Sequence, residues 1–90
     1  MKSLRYKSSF TKDLKKVVKR KYDLKRLEAT IIALRTDVPL AAGMHPHRLQ
    51  GGWASWWECH LASDWLLIYK VEKTEVLLAR TGTHADLFGE

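Results

Sequence analysis

Four histidines stand among the 90 residues, and all of them follow residue 44. Histidine has an unperturbed pKa of about 6.5, so its side chain can donate or accept a proton near neutral pH. Cleavage of RNA by attack of the 2′-hydroxyl needs both transfers, and a fixed cation offsets the charge that builds on the phosphate. The residues whose types suit these roles without a metal ion are His60, Asp64, Arg80 and His84.

The N-terminal third predicts a short strand and then two helices that would support such a site. Residues 4–7 fit the strand, and apolar residues recur with helical spacing after Ser8 and again after Asp23. The apolar positions of the two helices are Phe10, Leu14, Val17, Val18, Leu24, Leu27, Ile31 and Leu34. Because the link between them is short, we predict an antiparallel helix hairpin.

Residues 36–52 break the helical period with both prolines and three of the five glycines, which indicates a long surface loop. The strands predicted after this loop are residues 56–61, 65–71 and 75–81. In the last strand, alternation places Arg80 on the same face as Val76 and Leu78. We therefore predict an α+β fold of the order βααβββ, with the helix hairpin on one face of a small, antiparallel-dominated sheet.

Strand ends bring the candidate catalytic residues together in this arrangement. His60 lies at the end of one predicted strand and Asp64 directly precedes the next, so a tight connection brings them close. Arg80 and His84 lie at the end of the last strand, which returns beside the central one. His60 shares strand parity with Glu58, opposite the apolar face, and is therefore not expected to be a core histidine.

Several of these residues also have a purely structural interpretation. A histidine at a strand end is often only hydrogen-bonded, Asp64 fits turn chemistry, and Arg80 fits a surface ion pair. The sequence His45-Pro46-His47 resembles a fragment of a metal site, but no Cys-x-x-Cys or helix-borne histidine pair completes it. We therefore predict no metal and no cofactor.

Aromatic residues are concentrated around the predicted strands. The four tryptophans are Trp53, Trp56, Trp57 and Trp65. We expect at least two of them in the core, and Trp53 or Trp56 offers an alternative, stacking on a base.

Charge divides the chain into two unequal parts. The net charge is +6, with 12 basic and 4 acidic side chains in residues 1–38 and 4 basic and 6 acidic side chains in residues 39–90. A basic half attracts polyanions and gains affinity from counterion release.

A single cysteine, Cys59, excludes an internal disulfide, and no apolar run approaches the roughly 18 residues of a membrane-spanning helix. We predict a cytoplasmic protein.

Four segments resemble the YafQ branch of the RelE superfamily of toxins. They are residues 47–51, 58–61, 64–69 and 80–89, in the family's order and at its separations. The likeness is strong from Pro39 to Gly89 and weaker over the helices, so we interpret residues 1–90 as a single toxin domain of this type. It implies the toxin of a type II toxin–antitoxin system, a ribosome-dependent endoribonuclease that cleaves mRNA. The partners it implies are the ribosome, mRNA and a short acidic antitoxin of the RelB or DinJ kind.

The resemblance also implies roles for individual residues. His84 matches the general acid, and His60 and Asp64 match residues that accept or relay the 2′-hydroxyl proton, either of which can be the base. Arg80 matches the cation that stabilises the phosphate. The loop histidine of the site is His47, with His45 as the substitute. The residues expected to bind substrate are Trp65, Phe88, Lys12, Lys15, Lys16 and Lys19.

Two other functions fit parts of the sequence. A non-catalytic nucleic-acid-binding module would need only the basic helices. A toxin of the same fold that acts on a topoisomerase is the second alternative, and the histidines argue against it because such a toxin needs no acid–base groups.

Overall fold

The computed structural model describes residues 1–89. Its helices and strands are β1 Ser3–Tyr6, α1 Ser8–Lys19, α2 Leu24–Arg35, β2 His47–Arg48, β3 Trp57–Ala62, β4 Trp65–Val71, β5 Glu75–Gly82 and α3 His84–Phe88. The predicted α+β class is confirmed, and the predicted succession of a strand, two helices and three strands is found in β1, α1, α2, β3, β4 and β5, whereas β2 and α3 were not predicted. None of the helices in the described part of the chain is long and apolar enough to cross a membrane.

The sheet has the strand order β1-β5-β4-β3-β2. β1 runs parallel to β5, whereas every other neighbouring pair is antiparallel. The edge strand β2 corrects the prediction of a continuous loop over residues 36–52, because His47 pairs with Glu58 and Arg48 pairs with Trp57. Two residues are too few to show an alternating pattern, and this strand therefore could not be predicted from local periodicity.

Both long helices pack on one face of the sheet. Asp23 caps α2, since its carboxylate accepts a hydrogen bond from the backbone N–H of Lys25. The buried residues of this main core are Phe10, Val17, Leu27, Leu34, Cys59, Leu61, Trp65, Leu67, Tyr69, Val76 and Leu78. Burial of each large aliphatic side chain stabilises the fold by about 1.5–3 kcal/mol.

A second, smaller core lies on the opposite face. It consists of Leu66, Ile68, Ala79 and Leu87, and Leu49, Trp53 and Trp56 pack against it. The loop before β3 and the short helix α3 therefore cover part of this face. We call it the open face because neither long helix contributes a residue to its core.

A bulge in β5 decides which face receives Arg80. Ile68 pairs with Arg80, whereas the next residue of β4 pairs with Leu78, so Ala79 is an extra residue in β5. Residues that pair directly point to the same face of a sheet. Arg80 and Glu58 both pair with Ile68, which belongs to the second core on the open face. Arg80 therefore lies on the open face. The prediction that it shares the face of Leu78 is wrong, because the bulge shifts the alternation by one residue.

Candidate active site

Asp64 and His84 form a carboxylate–imidazole pair at the start of α3. Thr83 caps this helix, and Thr83 and Asp86 form a reciprocal capping box. One carboxylate oxygen of Asp64, Oδ1, accepts the backbone N–H of His84 at 3.0 Å and lies 2.6 Å from its ring Nδ1. The helix start and the β3–β4 turn thus fix the orientation of the ring together. The His84 side chain remains 41% exposed, which suits a group that must reach a substrate.

The same contacts change the acidity of Asp64. The backbone N–H of His84 and the hydrogen bond with its ring both lower the pKa of the Asp64 carboxyl below its usual value. The carboxylate is therefore stable at neutral pH and is a weak proton acceptor.

His60 lies at the centre of a cluster that contains every histidine of the chain. Its ring centroid is 5.9 Å from that of His84 and 5.9 Å from that of His45. His47 joins through its Nδ1, which lies 2.8 Å from the His45 carbonyl oxygen. The sequence left a choice between His45 and His47, and the structure places both in this histidine cluster.

Glu58 is a member of the site that the sequence reasoning missed as a functional residue. It is only 5% exposed, and its Oε1 lies 3.4 Å from Nε2 of His47 and 3.8 Å from Nε2 of His60. A buried carboxylate is costly unless cationic or hydrogen-bonding groups surround it, and these two imidazoles fill that role. The available signal was its strand parity with His60.

Arg80 is bound to α1 rather than to the histidines. Its Nε lies 2.6 Å from Oδ2 of Asp13 and its Nη2 lies 3.1 Å from Oδ1, a bidentate pair that raises the pKa of Arg80. Asp13 also accepts the backbone N–H of Thr81. Arg80 thus has a fixed position on the open face, and its contact with phosphate stays a prediction.

The predicted substrate-binding residues differ in exposure. Trp65 is 3% exposed, lies in the main core and donates its indole N–H to Thr81 Oγ1 at 2.9 Å, and it also lines the groove beside Asp64, so its contact with substrate stays a prediction. Phe88 is 37% exposed and follows His84 by four residues on α3, which puts both side chains on one helix face. The exposed lysines of α1 are Lys12, Lys15, Lys16 and Lys19.

Open grooves adjoin the cluster on two sides. A groove of about 610 Å³ runs beside His45 and His60, and one of about 300 Å³ runs beside Asp64. Both are lined by Arg26, Ala62 and Ser63. The grooves give an extended ligand access to the imidazoles from either side of the β3–β4 turn.

Three side chains of the site could also hold a metal ion. Glu58, His60 and His84 each offer a ligand atom, and these atoms lie within 4.8 Å of one another. Imidazole nitrogen and carboxylate oxygen are ligands that suit Zn²⁺ and Cu²⁺.

Comparison with known proteins identifies relatives over nearly the whole chain. The family of bacterial YafQ toxins of type II toxin–antitoxin systems matches residues 2–89. The mRNA interferase toxin YafQ of Escherichia coli strain K12 is 37% identical over 87 residues, which are 96% of this chain and 95% of that protein.

Solved structures agree with this match. A copper-bound mutant toxin from Helicobacter pylori has a TM-score of 0.92 and 38% identity, and the match covers 98% of this chain and 100% of that one. The YafQ chain of the E. coli DinJ–YafQ complex has a TM-score of 0.89 and 37% identity, with 99% of this chain and 100% of that one covered.

These likenesses confirm the predicted family and its fold. The relative from E. coli is an mRNA interferase, which is an endoribonuclease, and the prediction of that enzyme class is confirmed by the 37% identity to it. The chain belongs to the YafQ family of bacterial toxins of type II toxin–antitoxin systems.

Proposed function

We propose that this toxin is a ribosome-dependent endoribonuclease that cleaves mRNA by acid–base catalysis without a metal ion. The observation that supports this most directly is the Asp64–His84 hydrogen bond, with the ring of His60 5.9 Å from that of His84. In the reaction, the 2′-oxygen bonds to the adjacent phosphorus and the bond from phosphorus to the 5′-oxygen breaks. The products are a 2′,3′-cyclic phosphate and a 5′-hydroxyl.

His84 is the general acid in this proposal. Nδ1–H donates to the Asp64 carboxylate, and Nε2–H gives its proton to the departing 5′-oxygen. Asp64 is a positioning residue, because its two hydrogen bonds to His84 fix the ring and its negative charge stabilises the imidazolium.

His60 is the general base in this proposal, and Asp64 is not. Asp64 already binds His84 and its lowered pKa makes it a weak base, whereas His60 stands between His84 and the groove beside His45. When His60 takes the 2′-hydroxyl proton it becomes positive, and the carboxylate of Glu58 nearby offsets that charge. His47 contacts the same carboxylate and completes the cluster.

The cationic and aromatic groups around the cluster orient the strand. The Arg80 guanidinium, positioned by Asp13, stabilises the charge that develops on the phosphate. Phe88 contacts the nucleotide from the face of α3 that also carries His84. Lys12, Lys15, Lys16 and Lys19 bind phosphates of ribosomal RNA in a manner independent of sequence.

The biological setting follows from the relatives. YafQ of E. coli forms a complex with DinJ, and we propose that a short acidic antitoxin silences this toxin in the same way. Its net charge of +6 favours an acidic partner. We place the activity in the cytoplasm, where ribosomes translate mRNA.

His84→Ala is the variant that tests the mechanism. It should lower cleavage of ribosome-bound mRNA by about 10²–10⁴-fold, which is the usual contribution of a general acid, and it should not unfold the domain. Added imidazole should restore part of the rate to His84→Ala and should not accelerate the wild type. Mapping of 5′ ends with and without imidazole measures both effects. If His84→Ala cleaved mRNA at the wild-type rate, the role assigned to His84 would be disproved. If cells that express the wild-type toxin had intact mRNA and broken DNA, a topoisomerase target would be favoured.

Removal of metal ions is expected to leave the activity unchanged. The ligand atoms of Glu58, His60 and His84 can take a divalent ion, as the copper-bound relative suggests, but two of these groups are the ones that transfer protons. Toxin that has been treated with EDTA and then freed of the chelator should therefore cleave ribosome-bound mRNA in magnesium buffer at the untreated rate, and excess Zn²⁺ or Cu²⁺ should reduce that rate by occupying the imidazoles. Activity that disappears with EDTA and returns with one divalent ion would contradict the proposal.

A further inference from the structure

Two lysines meet one tryptophan on the open face, outside the catalytic cluster. The ammonium of Lys7 lies 5.0 Å from the ring centroid of Trp56, and the ammonium of Lys70 lies 4.8 Å from it. Both distances are within the range of a cation–π interaction, so the ring fixes the two charged groups. Trp56 itself is half-buried and packs on the second core, which makes it a rigid support.

No carboxylate neutralises this pair among the described residues. The ion pairs found there take up Lys2, Arg5, Arg20, Arg26 and Arg80, and none includes Lys7 or Lys70. Two positive charges that share one indole ring repel each other. An anion between or beside them would relieve that repulsion, and the structure therefore favours anion binding at this place.

The position of the pair relates it to the reaction centre. Lys70 follows Ile68 by two residues on β4, and Ile68 pairs with Glu58 and Arg80. Residues two apart on a strand point to the same face about 7 Å apart. Leu66, two residues in the other direction, pairs with His60. The two ammonium groups thus lie on the catalytic face, at a distance from His60 that a few nucleotides of an extended strand can span.

We propose that Lys7, Lys70 and Trp56 form a binding subsite for a backbone phosphate of RNA. The inference rests on the proposed function, because it takes RNA as the ligand. The subsite holds the strand away from the cleaved bond, so that the scissile phosphate meets His60 and His84 in a defined place. The alternative that Trp56 stacks on a base stays a prediction, and the two ammonium groups favour a phosphate contact at this ring instead.

Binding of uncleavable RNA tests the subsite independently of catalysis. The probe is a short, uniformly 2′-O-methylated single-stranded RNA, which lacks the attacking hydroxyl. Lys7→Ala and Lys70→Ala should each weaken binding several-fold at low salt. Log affinity falls as log salt concentration rises, and loss of one phosphate contact should make this slope shallower by about 0.7, the value per contact for a single strand. Lys73→Ala, which removes one exposed lysine between β4 and β5 in the less basic half of the chain, is the matched control and should keep the wild-type slope.

A second arm identifies the source of the phosphate. Binding to ribosomes without mRNA should be unaffected by Lys7→Ala and Lys70→Ala if the subsite holds the substrate strand, and weakened if it holds ribosomal RNA. Both results support a phosphate site. The phosphate site would be disproved if both lysine variants bound the RNA and the ribosomes with the affinity and salt dependence of the wild type. It would also be disproved if a separate binding measurement showed that the variants are defective only toward the antitoxin. An inactive wild-type enzyme would refute the proposed function without affecting this measurement.

Discussion

At the residue scale, the two histidines that we propose as acid and base lie beside different carboxylates. Asp64 binds both the backbone and the ring of His84, whereas Glu58 is buried between His47 and His60. In our proposal, the exposed carboxylate of Asp64 orients the acid His84 through a hydrogen bond. The buried carboxylate of Glu58 offsets the positive charge that a base acquires when it takes a proton. Residues of the same type can therefore act as acid and base within one small cluster.

Asp64→Asn distinguishes a positioning residue from a base. Without the carboxylate, the ring of His84 loses the hydrogen bond that fixes it and the charge that offsets its protonated form. The variant should lower kcat by roughly 100-fold. Because a positioning residue acts only through His84, Asp64→Asn combined with His84→Ala should cleave no more slowly than His84→Ala alone. Single-turnover rates of the two single variants and the double variant check this, and a further loss in the double variant would mean that Asp64 is the base and that the assignment of His60 is wrong.

Residue types were sufficient to find the histidines but not their carboxylate at Glu58. Parity placed Glu58 beside His60 on the outward face of β3, and that placement is correct. Its burial depends on the edge strand β2, where His47 pairs with it. The pairing of His47 with Glu58 joins two segments whose local patterns do not reveal that they are neighbours. Alternation along β3 therefore predicts an exposed glutamate, whereas Glu58 is buried in the structure.

At the element scale, α3 is the support on which His84 and Phe88 depend. This helix has only five residues, too few to be stable alone. Its capping box stabilises the first turn of the helix. The bidentate pair between Arg20 and Asp86, at 2.6 and 3.0 Å, attaches α3 to the end of α1. The position of His84, the general acid in our proposal, is therefore set partly by contacts that lie outside the histidine cluster.

Gly82→Ala should displace this support. Gly82 has a φ of 152°, which side chains rarely adopt, and an added Cβ would lie 2.8 Å from Oδ2 of Asp86. We expect a loss of about 1–3 kcal/mol in the free energy of unfolding, together with lower cleavage activity. Gly43→Ala is the control, because nothing lies within 4 Å of its Cβ, and its stability should change little. Urea titration compares the two, and equal stabilities would refute the strain at Gly82.

The longer elements and the four-residue β1 were predictable, whereas β2 and α3 were not. A continuous apolar run located β4, and helical period located both long helices, because each of these elements carries enough residues to display its pattern. The elements that shape the site are β2, α3 and the bulge at Ala79, of two, five and one residues. Their positions follow from pairing with distant segments, which a single sequence does not display.

At the scale of the whole molecule, α1 connects the basic half of the chain to the catalytic half. Asp13 binds Arg80 and the Thr81 backbone, and Arg20 binds Asp86. These contacts join residues that are 66 to 68 positions apart. The helix that carries the lysines proposed to bind RNA is therefore also the one that positions the Arg80 guanidinium, so in our proposal binding and cleavage share one support.

Acid should weaken this connection in a defined pH range. The guanidinium of Arg20, and next the backbone N–H of Thr83, lower the pKa of Asp86 far below the value of about 3.9 for an aspartate in an unfolded chain. A lowered folded-state pKa means that the stabilisation is complete above the unfolded value and is lost as the pH falls toward the folded one. Asp86→Asn should therefore be less stable than wild type by a constant amount between pH 5 and 8, and the difference should shrink below about pH 4. Arg20→Ala should show the same pH dependence, because it removes the other partner. Chemical unfolding at several pH values measures this, and a difference that stays constant down to about pH 2 would show that the ion pair contributes nothing to the attachment of α3.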